Sequence, residues 1–120
     1  MYKRDFRLFL SDIKECASKI QQYVSRTSFE EFINTPILLD AVLRNLEIIG
    51  EASKNIPASI KKKYPQIEWR KISGLRDIVI HQYFGLDYNI LWDVVQNKIP
   101  DLLRQMQHII ELEFPEDKGD

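Results

Sequence analysis

The chain has 120 residues, of which 44% are hydrophobic and 29% charged, a balance that excludes both a disordered chain and a membrane-embedded one. Its longest apolar runs, such as Ile78-Val79-Ile80, are only a few residues long, where a bilayer crossing needs roughly 20, and its formal net charge of -1 argues against a general electrostatic grip on nucleic acid. The charged start lacks the apolar centre of a signal peptide, and Cys16 is the one cysteine, so a cytoplasmic protein with no internal disulfide and no membrane contact is expected.

From Asp5 to Arg26 the apolar residues Phe6, Phe9, Leu10, Ile13, Ala17, Ile20 and Val24 recur every three to four positions, which predicts a first amphipathic helix. Ser28-Phe29-Glu30-Glu31 has the pattern of a capping box, so a short helix should follow and end before Thr35. Thr35-Pro36 is a second start signal, and a helix is expected from Pro36 to about Asn55 with Leu39, Val42, Leu43, Leu46, Ile49 and Ala52 as its apolar stripe. Gly50, inside that helix, lets another backbone come close at some cost in helix propensity.

Pro57 ends that helix or opens another turn, and beyond Pro65 the residues Trp69, Ile72, Leu75 and Val79 return to helical spacing. By propensity alone, Ile78-Val79-Ile80 and Tyr83-Phe84 suit a strand. Helix is the better reading, because no second strand-like run exists to pair with them. Gly85 suits a helix end and Asp87 the cap of a last helix from Tyr88, in which Pro100 should kink or break the run through Leu102, Leu103, Met106, Ile109 and Ile110. The sum is one all-α domain over residues 1–114, an antiparallel bundle of four to five helices, followed by a polar tail at 115–120.

Most catalytic patterns are missing: there is no phosphate-binding Gly-rich loop, no nucleophile elbow and no paired-cysteine metal spacing, so neither a metal nor a cofactor is expected. Attention falls on Arg76-Asp77-Ile78-Val79-Ile80-His81-Gln82-Tyr83. On a helix Asp77 and His81 lie one turn apart, so the carboxylate can orient the imidazole, while Tyr83 lies about 20° from Arg76 and shares its stripe. Arg76 and His81 are roughly 140° apart, too far to meet one phosphate without a long reach, a distorted helix end or a second subunit.

These side chains suit RNA cleavage: arginine grips phosphate with its fork, and histidine exchanges protons near neutral pH. Periodicity alone favours the plainer reading of surface ion pairs at Arg76 and Asp77 and a packed His81. The cations Lys61, Lys62, Lys63, Arg70, Lys71 and Arg76, opposed in that stretch by Glu68 alone, suit either a basic patch beside the motif or a solvated face. Trp69 and Trp92 read as core or interface aromatics, and His108 as a surface or interface residue.

Arg76, four residues, His81, one residue and Tyr83 resembles the signature of the HepT family, a branch of the HEPN superfamily of helical ribonucleases and nucleotide-binding domains. The segments at 40–52, Ile67-Glu68-Trp69, 72–77 and Tyr83-Phe84-Gly85-Leu86-Asp87 are also similar to that family's pattern, in order, so the resemblance covers most of the chain. It implies a HEPN homodimer in which the Arg/His helices of both subunits face one cleft, which answers the 140° separation. It implies a metal-independent endoribonuclease toxin of a type VII toxin-antitoxin system, with Arg76 and His81 catalytic and Asp77 orienting. It implies as partner an MntA-like nucleotidyltransferase antitoxin that transfers AMP to the motif tyrosine, by position Tyr83. Glu47 and Glu51, a turn apart, are expected as supports that anchor Arg76 or Arg70. The alternative is a non-catalytic HEPN module that binds nucleotide or RNA for a nucleotidyltransferase.

Overall fold

The first apolar stripe forms α1 (Lys3–Val24) in the computed structural model, which describes residues 3–80, 85 and 87–117. Its stripe is buried from Phe6 through Leu10, Ile13, Ala17 and Ile20 to Val24, with Cys16 beside it. Burial raises the Cys16 thiol pKa, because the thiolate loses its hydration there. Beyond Val24 the chain turns through Arg26 in the left-handed region, φ 62°, a position that glycine usually takes at a helix end.

The capping box forms as expected and starts α2 (Phe29–Ile33): Glu31 N–H donates to Ser28 Oγ at 3.1 Å, and Ser28 N–H donates to Glu31 Oε1 at 3.0 Å. Those bonds hold the Glu31 carboxyl below its ordinary pKa, the contact with the Ser28 backbone being the larger cause. Phe32 on this short helix is fully buried and lies 5.1 Å from the Trp92 ring. Pro36 then opens α3 (Pro36–Lys54), close to the expected bounds. Thr35 does not cap it; its hydroxyl donates backwards to Glu31 O at 2.6 Å and closes α2 instead.

After Pro57 come α4 (Ala58–Lys63), α5 (Trp69–Ser73) and α6 (Leu75–Ile80). The single helix expected after Glu68 is therefore two pieces, parted at Gly74. There ψ opens to -11° and the next backbone bond, Asp77 N–H to Gly74 O at 2.9 Å, spans only three residues. The stretch leading into the motif is helical and not a strand, as the missing pairing partner argued. Its last residues, His81, Gln82, Tyr83 and Phe84, lie outside the described residues.

Asp87 caps α7 (Tyr88–Asp93), its carboxylate accepting from the N–H groups of Asn89 and Ile90. Pro100 does not break the run, which stays helical on both sides of it. The turns widen to a π-helical segment, Val94–Lys98, closed by Ile99 N–H on Val94 O, and α8 (Ile99–Glu113) continues with Pro100 in its first turn. The missing proline N–H is thus absorbed where the ladder is already spread. A 3-10 turn at Pro115–Asp117 follows, and the preceding Phe114 is buried with its ring 5.2 Å from that of Phe6.

Among the described residues every regular element is helical. α1 packs between α3 and α8, and α5 and α6 rest on α3, so one apolar core runs the length of the bundle. Among those residues no helix is long and apolar enough to cross a membrane. No buried side-chain nitrogen or oxygen among them lacks a partner.

Candidate active site

Where α3 crosses the junction of α5 and α6, the contact is backbone to backbone. A Cβ built on Gly50 would stand 3.0 Å from both Cβ and N of Arg76 and 3.1 Å from Ser73 O, so a side chain there would make α5 and α6 give way by a few tenths of an ångström. Alongside, Ser53 is fully buried; its hydroxyl donates to Gly50 O at 2.9 Å and lies 2.8 Å from Ser73 Oγ. These two positions fix α6 against α3 before any long side chain takes part.

Arg76, the second residue of α6, then reaches back over α3, where its Nε stands 2.8 Å from Glu51 Oε1. Glu51 follows Gly50, so the residue that admits the backbone and the residue that receives the guanidinium are neighbours. The Arg76 side chain keeps 42% of its exposure and that of Glu51 51%, so the pair adds on the order of 0–1 kcal/mol to stability. Its effect is on direction. A guanidinium engaged through Nε keeps its two terminal nitrogens as a planar fork for a second, bidentate anion.

Glu47 lies one turn earlier but does not reach α5 or α6; it accepts from Arg44 Nη1 on its own helix at 3.3 Å. Of the two expected supports, Glu51 therefore meets Arg76 and Glu47 does not. Asp77 is exposed on α6, and the placement of its expected partner His81, like that of Tyr83, lies outside the described residues. Among the described residues no cluster of His, Cys, Asp and Glu has the form of a metal site.

The six cations from Lys61 to Arg76 do not make an uninterrupted patch. Lys63 pairs with Glu113 at 2.7 Å, Lys71 with Glu68 at 2.8 Å and Arg76 with Glu51. The Glu68–Lys71 pair lowers the carboxyl pKa and raises that of the amine, the hydrogen bond between them being the first cause in each case. On the other flank of α6, roughly 200° round from Arg76, Ile78 helps to line a 370 Å³ groove against the π segment and α8, floored by Ile72, Leu75, Ile99 and Leu102. That groove carries no catalytic set.

Three features of this region escaped sequence reasoning: the Ser53–Ser73 contact, the Arg44–Glu47 pair and the clasp in which Tyr64 OH donates to Glu113 Oε2 at 2.6 Å. The Arg44–Glu47 spacing was readable as a helix pair. The other two join residues 20 and 49 positions apart, and no local pattern announces them.

A sequence model of the family described as "Ribonuclease HepT-like" matches residues 13–109. The chain belongs to the HepT-like ribonuclease family. Within it, this chain is 43% identical over 111 residues, 92% of each chain, to "Putative RNase MJ0127" of Methanocaldococcus jannaschii. It is 44% identical over 100 residues, 83% of this chain and 91% of the other, to "Probable ribonuclease HepT" of Thermococcus cleftensis. No solved structure matches it. The HepT-like match spans Gly50, Glu51, Arg76, His81 and Tyr83, so the crossing of α3 and α6 lies inside the family region.

Proposed function

We propose that this HepT-like chain is a metal-independent endoribonuclease, the toxin of a type VII toxin-antitoxin system acting in the cytoplasm as a homodimer. Arg76 binds the scissile phosphate and the charge that develops on it. His81 exchanges the protons, and Asp77 orients the imidazole. The ribose 2′-oxygen loses its proton to a base and attacks the neighbouring phosphorus. The O2′–P bond forms as the P–O5′ bond breaks, and the 5′-oxygen leaves with a proton from the general acid. Two motifs facing each other in a dimer supply the phosphate grip and the proton transfer that an ideal helix would hold roughly 140° apart.

The observation that supports this reading most is the Arg76–Glu51 pair. A half-exposed arginine tethered through Nε over a glycine-made crossing is arranged to present its fork, which a stabilising surface pair does not require. Tyr83 is the regulatory acceptor: an adenylyl group placed there by an MntA-like nucleotidyltransferase sets a phosphate on the arginine stripe and blocks the RNA path.

Single-stranded RNA incubated with the protein in excess chelator tests the reading. We expect cleavage by the native chain and none by a folded His81→Ala variant. Tight ATP binding with no cleavage at any pH would replace this reading with that of a nucleotide-binding module. After coexpression with the nucleotidyltransferase, mass spectrometry should find AMP on Tyr83, and AMP on another residue would remove Tyr83 from the scheme.

A further inference from the structure

The ion pair over the crossing of α3 and α6 leaves one cation out. Lys54 stands three residues after Glu51, a spacing at which glutamate and lysine on one helix commonly pair, yet the carboxylate holds Arg76 instead. Among the described residues no carboxylate pairs with Lys54, which is exposed. Arg76 and Glu51 cancel as a pair, and Asp77 lies about 100° round α6 from Arg76. Lys54 therefore carries the surplus positive charge of this crossing.

The geometry of α3 brings that charge close to the guanidinium. Gly50 and Lys54 are one turn apart, a spacing that sets Cβ positions about 6 Å from one another. The Cβ position of Gly50 is in turn 3.0 Å from Arg76 Cβ. The Cβ atoms of Lys54 and Arg76 are thus no more than about 9 Å apart, within the reach of two long side chains toward one anion. Helical side chains lean toward the N-terminus, which directs the Lys54 stem over the turn of Gly50 and Glu51, where the glycine leaves the place unfilled. A lysine in the last turn of a helix also complements the negative end of its dipole. That plainer role asks for a charge at position 54 but not for an arginine beside it, so the two roles are separable.

We propose that Lys54 is a phosphate-binding residue of the same site, its ammonium donating to the RNA phosphate that the Arg76 fork holds. This rests on the reading of Arg76 given above. A phosphodiester brings one negative charge, and the Arg76–Glu51 pair offers it a shaped set of donors with little net charge. Lys54 supplies the missing charge. The rigid fork fixes the plane in which the phosphate sits, while the ammonium, a point charge on a flexible stem, follows the oxygens as they move.

The test is equilibrium binding of a non-cleavable 2′-O-methyl RNA hexanucleotide, measured by fluorescence anisotropy across a salt series. The native chain is compared with Lys54→Gln, Lys54→Arg, Arg76→Gln, the Lys54→Gln/Arg76→Gln double variant and Lys98→Gln. Lys98 is the control, an exposed lysine on the groove at the other flank of α6. We expect Lys54→Gln to weaken binding about threefold to tenfold at low salt and to flatten the slope of log affinity against log salt by about 0.7, the value of one phosphate no longer neutralised on a single strand. Lys54→Arg should keep most of the affinity, and Lys98→Gln should change neither quantity. Since the two cations share one phosphate, Lys54→Gln should cost much less in the Arg76→Gln background than in the native chain. Additive losses in the double variant would put Lys54 on a different phosphate and overturn the shared site. Unchanged affinity and slope in Lys54→Gln, with binding lost in Arg76→Gln, would overturn the role of Lys54 and leave that of Arg76 standing; a lowered melting temperature in that variant would then mark the helix-end role alone. Equal losses in Lys54→Gln and Lys98→Gln would reduce the effect to general charge and overturn it too. A native chain that neither binds nor cleaves RNA would remove both proposals.

Discussion

Arg76 depends on Glu51 for direction more than for stability, and that separation is measurable. Glu51→Gln keeps the shape of the side chain but loses the charge that draws Nε at 2.8 Å. Since both partners are about half exposed, we expect a melting temperature within a degree or two of the native value and RNA cleavage lowered by about tenfold. Glu51→Asp should recover part of that loss; a fall in stability with activity intact would make the pair structural only. Tyr64 shows a different residue-scale effect, because it is 4% exposed and its hydroxyl donates to Glu113 while Lys63 meets the same carboxylate oxygen. Burial, and then the Glu113 carboxylate, push its pKa up to about 12 from an ordinary 10. The folded chain thus holds this proton more tightly than the unfolded chain does. The resulting stability is whole below pH 10 and is lost as pH rises from about 10 to about 12. Absorbance titration near 295 nm should show one tyrosine ionising about two pH units late, and Tyr64→Phe should abolish that phase together with the alkaline loss of stability.

Elements meet here through small residues. α3 carries Gly50 in its C-terminal third, where alanine is better by about 1 kcal/mol in an isolated helix. The crossing reverses that preference, since an added Cβ meets backbone and Cβ of Arg76 at 3.0 Å. Gly50→Ala should therefore lower stability by a net of about 1–2 kcal/mol in urea denaturation, and should reduce cleavage by shifting Arg76 away from Glu51. A stabilised variant would show that α6 can slide without cost. The same scale explains Pro100: with the ladder widened over Val94–Lys98, the proline costs less than in an ordinary helix and the rod runs on to Glu113.

At the scale of the whole molecule, the proposed two-motif cleft ties catalysis to dimerisation, and this has a thermodynamic signature. If the folded unit is a dimer, a tenfold rise in protein concentration should raise the melting temperature by a few degrees. Differential scanning calorimetry over a hundredfold concentration range measures this. A constant melting temperature, with a one-chain mass in sedimentation, would confine the cleft to a single motif and leave the 140° separation unanswered. The near-neutral charge also belongs to this scale. With three of the six patch cations engaged in ion pairs, RNA affinity should come from placed arginine more than from a general field.

Much of this was legible in the sequence because it is local. The period of Phe6 to Val24, the Ser28–Glu31 box, Pro36 and the Asp87 cap specify helices by interactions within four residues, and each stands where the pattern put it. The motif residues Arg76, His81 and Tyr83 stood out through the family resemblance, since local spacing alone favoured surface ion pairs and a packed histidine. Some local expectations gave way. Thr35, expected to start α3, bonds behind it instead; the helix expected through Trp69 and Val79 parts at Gly74; and the run expected to break at Pro100 continues through it as helix. Tertiary packing decided the outcome: α5 and α6 had to follow α3, so the chain bent at Gly74, while α8 had to follow α1, so the helix widened before Pro100 and went on. Tertiary packing also chose Glu51 over Glu47 as the partner of Arg76. Both glutamates present the same chemistry on the same face of α3, and only the point where Gly50 lets α6 touch that helix distinguishes them.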